Sequence, residues 1–307
     1  MQFMSRLLGG ERMSDLCREF GISRKTGYKL KDRFEELGVD GFLDLSRRPA
    51  THPNATPLTT VELVVAWRQK HPTWGARKIR RELVRYNSRC QWPVTSTISE
   101  ILKRNGFVKA RKRRRRATPS PNPLGDSAAP NDVWSVDFKG QFRPGDRCFC
   151  YPLTVSDHFS RFFIACEALE NIRRAGTQQA LEAAFRKFGV PKVIRTDNGA
   201  PFASTGCMGL TRLSVWLLRQ GIEPQRIQPG HPEQNGRHER LHLTLKRDAI
   251  NPAGANLLQQ QEQFDAFLDC YNHARPHEAL HQEPPASVYT PSCQEFDPCP
   301  TTGVSRT

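Results

Sequence analysis

The sequence predicts a multidomain protein in which small all-α units are followed by an α/β domain with a mixed sheet and helices on both faces. Helical patterns fill residues 10–106, strand-like and helical runs alternate after Asn131, and the charge divides at the same boundary. Residues 1–128 hold 27 of the 46 Lys and Arg residues but 12 of the 31 Asp and Glu residues. Residues 129–307 hold 19 of each kind, so the net charge of +15 lies entirely in the first part.

The concentrated positive charge predicts a polyanionic partner, for which nucleic acid is the natural candidate. No run of eighteen apolar residues predicts a membrane span, and no charged-then-apolar signal segment opens the chain. The nine cysteines form no CxxC pair, which argues against a structural zinc site and against a disulfide framework. We therefore expect a cytoplasmic protein with reduced thiols.

Residues 1–48 are predicted to form a helix-turn-helix domain. One helix ends near Phe20, a Gly21-Ile22 turn follows, and a second helix begins after Ser23, which is its predicted N-cap. The predicted core consists of the apolar residues Leu16, Phe20, Ile22, Leu30 and Phe34. The residues predicted to face DNA are Arg24, Lys25, Thr26, Tyr28 and Lys29. The alternative is a plain helical hairpin with a solvated basic face.

Residues 57–108 predict a second helix-turn-helix domain, after a linker rich in Pro, Ser and Thr. Its three helices are TVELVVAWRQKHP, WGARKIRRELVRY and VTSTISEILKRNG, the third capped by Thr95 or Ser96. Ile79 and Leu83 should face inward, whereas the basic residues of the second helix should face outward, namely Arg77, Lys78, Arg80 and Arg81. The residues predicted to face DNA are Arg77, Lys78, Ser96, Thr97 and Lys103.

Residues 109–128 are predicted to be a flexible basic linker. The run KARKRRRR has no helical apolar stripe, and a segment rich in Pro, Ser and Ala follows it. Such a run contacts phosphates without distinguishing base sequence. The residues predicted to contact DNA here are Lys109, Arg111, Lys112, Arg113 and Arg114.

Three acids of the α/β domain stand at places that suit a metal site. Asp137 lies in a strand whose alternate residues Trp134, Val136 and Phe138 are apolar, so its side chain belongs to the opposite face. Asp197 follows the apolar run Val193-Ile194, and Glu239 lies in the first turns of a helix. Carboxylates brought together from such positions are candidate ligands for two divalent ions that promote reactions at phosphorus.

The remaining elements of this domain follow from the same periodicities. We expect strands at about 133–139, 150–156 and 161–168, the last two joined by a turn that Asp157 caps. A helix at 175–188, the strand before Asp197, a helix at 209–220, a short strand near Ile227 and the Glu239 helix should follow. A last helix should end at Arg275-Pro276.

Five segments in this order resemble the catalytic core of insertion-sequence transposases, which are relatives of retroviral integrases: VDFKG, LTVSDHFSRF, RTDNGAPFAS, PGHPEQNGRHERLHLTLK and YNHARPHEALHQEPPASVYTPS. The resemblance runs from Trp134 to Ser292, within a core of 129–292 that a tail of 293–307 follows. It implies an RNase H-like fold and an Asp-Asp-Glu triad that binds two Mg²⁺ or Mn²⁺ ions. The triad residues would be Asp137, Asp197 and Glu239.

The resemblance further implies DNA 3′-end cleavage and strand transfer by a homo-oligomer on double-stranded DNA, at the bacterial nucleoid and without a nucleotide cofactor. Asn198 and Gly199 would shape the turn that aims Asp197, and Lys246 and Arg247 would position phosphate. Glu233 competes with Glu239 as the third ligand, because an insert at 209–216 lengthens the spacing from Asp197. In relatives the first helix-turn-helix begins further upstream, so the resemblance implies either that its first helix is missing or that the start site is misplaced.

Two other functions fit parts of the sequence. The segment His238-Glu239-Arg240-Leu241-His242 matches the HExxH signature of zinc proteases, with Glu262 as a candidate third ligand. In a transposase, His238 and His242 would instead contact DNA or be exposed. A non-catalytic DNA-binding regulator or an inactive element copy would also explain two helix-turn-helix domains, although it has no need of three clustered acids.

Overall fold

The computed structural model describes residues 2–43, 55–108, 127–204 and 209–299. The chain forms two compact units, residues 1–55 and 56–307. None of the described helices is long and apolar enough to cross a membrane. Each of the eight cysteines in the described segments has a free thiol. The predicted basic linker contacts, from Lys109 to Arg114, lie outside the described residues.

The first unit contains helices α1 (Gln2–Leu8), α2 (Met13–Glu19) and α3 (Arg24–Leu37). Helix α1 is present although the sequence pattern did not indicate it, and its Phe3 and Met4 are buried against Leu16. Ser23 caps α3 as predicted, since its hydroxyl accepts a 3.1 Å hydrogen bond from the Thr26 amide. The prediction that Phe20 belongs to the core is wrong, because 39% of it is exposed and its ring packs edge-on against Phe3.

The second unit begins with helices α4 (Leu58–Lys70), α5 (Ala76–Tyr86) and α6 (Thr95–Arg104). Their shared core includes Trp74, Ile79, Leu83 and Ile98, so the predicted inward residues of α5 are confirmed. The predicted caps of α6 are wrong. The backbone already turns helical after Val94, which stands at the N-cap position and offers no side-chain hydrogen bond.

A five-stranded mixed sheet follows, formed by β1 (Val133–Phe138), β2 (Tyr151–Asp157), β3 (Phe163–Leu169), β4 (Val193–Thr196) and β5 (Glu223–Arg226). The strand order is β3-β2-β1-β4-β5. Strands β1, β2 and β3 pair in antiparallel fashion, whereas β4 joins β1, and β5 joins β4, in parallel. Strand β5 ends at Arg226, directly before Ile227, near which a short strand was predicted. Asp157 caps the β2–β3 turn as expected, because its carboxylate accepts hydrogen bonds from the Ser160 amide and hydroxyl.

Helices cover both faces of the sheet, which confirms the predicted RNase H-like architecture. Helices α7 (Arg174–Phe188) and α8 (Arg212–Arg219) pack on the face that carries Trp134 and Val136. Helices α9 (Gly236–Leu245) and α10 (Leu257–Asp269) pack on the opposite face against Phe163 and Cys166. The side chain of Asp137 lies on the face that α9 and α10 cover, and its carboxylate accepts a hydrogen bond from Asn235 just before α9.

Candidate functional site

Two of the predicted acids lie at the ends of adjacent parallel strands. Val136 of β1 is paired with Thr196 of β4. Asp137 is the next residue on β1, and Asp197 directly follows β4. Because neighbouring strands are about 4.8 Å apart, this register holds the two carboxylates next to each other at one edge of the sheet.

The turn after β4 orients Asp197. The Gly199 amide donates a 3.1 Å hydrogen bond to Asp197 Oδ1. A Cβ atom at Gly199 would lie 3.0 Å from Asp197 Oδ2, so glycine leaves that oxygen room. The Asn198 side chain donates to the main-chain oxygen of Ile227 at 2.8 Å, which ties the turn to the segment after β5.

The third acid, Glu239, lies in the first turn of α9, on the exposed side of that helix. Leu243 and Lys246 share this exposed side, as their spacing predicts. Arg247, in the π turn that continues α9, is exposed as well. The competing acid Glu233 lies in a 3₁₀ turn before α9, and its side chain is outside the described set.

Asp137 is the predicted acid whose pKa responds to the other two, although the compact cluster of potential ligand atoms in the described residues contains Asp137, His238 and His242 and neither Asp197 nor Glu239. Burial raises the pKa of Asp137 to about 7, and the negative charges of Asp197 and Glu239 act in the same direction. Asn235 Nδ2 lies 3.4 Å from Asp137 Oδ2 and donates to it. A half-buried carboxylate that is raised in pKa by burial and by two other acids suits a cation, which would relieve both the repulsion and the loss of hydration.

A polar network joins α9 to the strand next to Asp137. Thr154 of β2 is paired with Asp137, and its Oγ1 lies 2.8 Å from His238 Nε2 and 2.7 Å from His242 Nε2. Ser156 Oγ lies 2.9 Å from His238 Nδ1. Burial lowers the pKa of His238 to about 3 and that of His242 to about 2. The two histidines on either side of Glu239 therefore fix its helix against the sheet as neutral rings.

This network corrects the expectation that His238 and His242 contact DNA or are exposed, because both are buried. It also removes the basis for a zinc-protease site. Both nitrogens of His238 are used by Thr154 and Ser156, and the cluster of potential ligand atoms in the described residues comprises Asp137, His238 and His242 without Glu262.

The predicted DNA-facing residues differ in accessibility. Those of α3 are all exposed: Arg24, Lys25, Thr26, Tyr28 and Lys29. On α6, Ser96 and Lys103 are exposed and Thr97 is half-buried. On α5, Arg77 forms an ion pair with Glu278, and Lys78 is half-buried instead of facing outward.

Sequence reasoning missed three polar residues of the site, Thr154, Ser156 and Asn235. The alternation in Leu153-Thr154-Val155-Ser156 was a signal, since it places two hydroxyls on one face of β2. Their pairing with α9 depends on a contact between residues more than eighty positions apart, which periodicity alone does not reveal.

Models of known protein families match both the helical first part of the chain and the part that contains the sheet. Two models described as integrase core domains match residues 127–232 and 220–285. A helix-turn-helix model matches residues 1–50, and a homeodomain-like model matches residues 26–102.

Solved structures with a similar fold include two retroviral proteins. The catalytic core of HTLV-2 integrase, solved in complex with magnesium, has 17% identity and a TM-score of 0.42 over 53% of this chain and 98% of that one. The simian T-cell lymphotropic virus intasome has 17% identity and a TM-score of 0.48, with 79% of this chain and 80% of that one covered.

Two bacterial relatives come from insertion elements. The 39.2 kDa protein of IS476 from Xanthomonas euvesicatoria is 30% identical over 250 residues, which cover 79% of this chain and 68% of that protein. The 31.7 kDa protein of IS407 from Burkholderia multivorans is 30% identical over 181 residues, which cover 58% of this chain and 62% of that protein. The chain thus spans about two thirds of the length of each. With its integrase core, its helix-turn-helix regions and its identity to the IS476 protein, the chain belongs to the insertion-sequence transposases of the Asp-Asp-Glu class.

Proposed function

We propose that this chain catalyses the metal-dependent cleavage of DNA at the 3′ ends of an insertion sequence and the transfer of those ends to target DNA. Asp137, Asp197 and Glu239 are its catalytic residues. The observation that carries the proposal is the register of β1 and β4, which places Asp137 and Asp197 at the ends of adjacent parallel strands. Burial and the charges of Asp197 and Glu239 raise the pKa of Asp137, and a bound cation would relieve both effects.

The donor set suits two Mg²⁺ or Mn²⁺ ions, because carboxylate oxygens are the ligands that these hard cations prefer. When bound, such ions polarise phosphate oxygens and stabilise the attacking and leaving oxygens of a displacement at phosphorus. Asp137, Asp197 and Glu239 would hold these ions. The Asp197 turn and the α9 network hold the carboxylates in place before DNA arrives, which lowers the reorganisation that reaction requires.

Residues around the triad would bind and orient the DNA. Lys246 and Arg247 project from the exposed side of α9 and its continuation, so they are positioned to contact phosphate near Glu239. The exposed basic residues of α3 and the exposed residues of α6 supply recognition elements for the element's ends. Joining two ends to one target requires at least two active sites, so we infer a homo-oligomer assembled on DNA, acting at the nucleoid.

The test is a strand-transfer assay with Mg²⁺ on the element's own end DNA. Wild-type protein should join these ends to a target plasmid, and Asp197→Asn should reduce joining at least about 100-fold, since even outer-shell partners of metal ligands contribute about 10–100-fold. Glu262→Gln, a change at an exposed acid on α10, is the matched control and should retain activity. Equal joining by wild type and Asp197→Asn would overturn the assignment.

The third ligand is decided in the same assay. Glu239→Gln should abolish joining, whereas Glu233→Gln should leave it within a few-fold of wild type. The reverse result would assign the role to Glu233.

A further inference from the structure

One imidazole nitrogen near Asp137, Nδ1 of His242, takes part in no hydrogen bond among the described residues. Thr154 Oγ1 lies 2.9 Å from the main-chain oxygen of Asp137 and also contacts Nε2 of both histidines. A carbonyl oxygen only accepts, so the single hydroxyl hydrogen of Thr154 is directed to Asp137. The two lone pairs of the hydroxyl oxygen therefore accept hydrogen bonds from the two imidazole rings.

This arrangement fixes the tautomers of both rings. His238 and His242 must each carry hydrogen on Nε2 in order to donate to Thr154. Both rings are buried, with exposed fractions of 2% and 7%, and burial disfavours a charged imidazolium. Each Nδ1 is then a bare acceptor. The Ser156 hydroxyl donates to Nδ1 of His238, whereas Nδ1 of His242 has no donor within the described segments.

The free Nδ1 of His242 faces Asp137 Oδ2 at 4.0 Å. Two lone-pair atoms do not attract each other, and this separation is too long for a hydrogen bond. One ion could bridge the two atoms, because two metal bonds of about 2.1 Å on nearly opposite sides of an ion span about 4 Å. His242 is also three residues after Glu239 on α9, so the two side chains can reach the same ion.

We infer that His242 Nδ1 is a fourth protein ligand of the divalent ion held by Asp137, so that the site binds through nitrogen as well as oxygen. This inference rests on the metal site of the proposed function. His238, although adjacent, is a positioning residue that binds no metal, because both of its nitrogens are engaged by the sheet. A site with one imidazole should favour Mn²⁺ over Mg²⁺, since Mg²⁺ prefers oxygen ligands.

The direct test is pulsed electron paramagnetic resonance of Mn²⁺ bound to the tag-free protein, which detects a nitrogen nucleus coordinated to the ion. Wild-type protein should show ¹⁴N modulation. His242→Gln should abolish it, because the glutamine amide can keep the donor to Thr154 but has no group at the Nδ1 position. His238→Gln is the matched control and should retain the modulation. Persistence in His242→Gln, or its absence in wild type, would overturn the inference.

Metal affinity supplies a second readout. His242→Gln should weaken Mn²⁺ binding about 10-fold or more, by analogy with the 10–100-fold contribution of residues that support metal ligands, and Mg²⁺ binding less. Equal weakening of both ions would indicate that the histidine acts through packing alone.

The two proposals fail separately. Strand transfer by wild type without ¹⁴N modulation would leave the proposed function intact and remove His242 from the ligand set. Nitrogen-coordinated Mn²⁺ in a protein that joins no DNA ends would support the ligand assignment and contradict the proposed function.

Discussion

The Thr154 hydroxyl joins the strand that carries Asp137 to the helix that carries Glu239. It donates to the main-chain oxygen of Asp137 and accepts from two buried histidines, so all of its hydrogen-bonding capacity is used. A buried network in which every polar group has a hydrogen-bond partner is rigid. If one member is removed, the others stay buried without a partner and are not compensated for the water they have lost. Thr154 therefore ties the main chain of β1 at Asp137 to helix α9.

Substitution of Thr154 tests this role. Thr154→Val should lower the free energy of unfolding by about 2–4 kcal/mol, because two buried Nε2–H groups are left without their acceptor. Thr154→Ser keeps the hydroxyl and should cost only about 1 kcal/mol for the missing methyl group. Urea denaturation measures both values. A valine variant as stable as the serine variant would show that the hydroxyl network contributes little.

The raised pKa of Asp137 predicts how pH and metal act on stability. The folded carboxyl releases its proton near pH 7, whereas the ordinary value for the unfolded chain is 3.8. The unfolded state therefore binds fewer protons between these values, and metal-free stability falls as the pH rises from about 4 to about 7. A divalent ion binds only the ionised site and should reverse this loss.

We accordingly expect Mg²⁺ or Mn²⁺ to raise the melting temperature by several degrees at pH 8 and by little at pH 5. Asp137→Asn should remove most of this pH-dependent response to metal, as differential scanning fluorimetry can measure. An equal metal effect at both pH values would contradict the assignment of Asp137.

The basic side of helix α5 contacts two acids of the segment that follows α10, within the second unit. Arg77 pairs with Glu278, Arg81 pairs with Glu283, and Arg85 lies 3.6 Å from the same Glu283 carboxylate. Lys78, the residue after Arg77, is half-buried, and burial lowers its pKa to about 7. Three basic residues of α5 thus pair with acids of the protein itself, although the Arg77 side chain stays exposed, and Ser96 and Lys103 of α6 are exposed as well.

Lys78→Met should stabilise the protein because it removes a poorly hydrated ammonium. The folded ammonium releases its proton near pH 7, but the unfolded one holds it until about pH 10.5. Wild-type stability should therefore rise with pH across this window, and the gain from Lys78→Met should be largest at pH 7 and shrink towards pH 10. Thermal unfolding at several pH values measures this, with the exposed Lys103→Met as control. An equal gain at all pH values would contradict the predicted titration.

Elements with strong local periodicity could be predicted from the sequence, and contacts between elements could not. The alternation around Asp137 and the Ser23 cap are local, so β1 and α3 were predicted nearly to the residue. The burial of His238 and His242 depends on which side of α9 meets β2. The docking of α5 depends on Glu278 and Glu283, about 200 residues further along the chain. The helix pattern specifies neither partner.

At the scale of the whole molecule, charge and chemistry occupy different parts of the chain. The residues up to 128 carry the net charge of +15, and the segment 129–307, which contains the integrase core, is neutral overall. Affinity for DNA should therefore come mainly from the helix-turn-helix regions and the basic linker, through displacement of counterions from phosphates. The acids themselves would repel DNA until metal ions neutralise them.

Removal of the linker charges should change affinity and salt dependence together. Replacing the basic residues of the run from Lys109 to Arg114 with serine should lower DNA affinity and reduce the slope of log affinity against log salt by about 0.9 for each phosphate that is no longer neutralised. Fluorescence anisotropy at several salt concentrations measures both. Replacing the exposed basic residues of α7 and its start, Arg173, Arg174, Arg186 and Lys187, is the control and should have a smaller effect. A changed affinity with an unchanged slope would contradict the electrostatic role.

The central claim is that Asp137, Asp197 and Glu239 form one metal site, and anomalous diffraction from crystals soaked in Mn²⁺ tests it most directly. The account predicts manganese density about 2.2 Å from an oxygen of Asp137, in a position shared with Asp197 or Glu239. Soaked crystals of Asp197→Asn should lack at least one of these peaks. Manganese bound away from these carboxylates, or equal peaks in both proteins, would contradict the account.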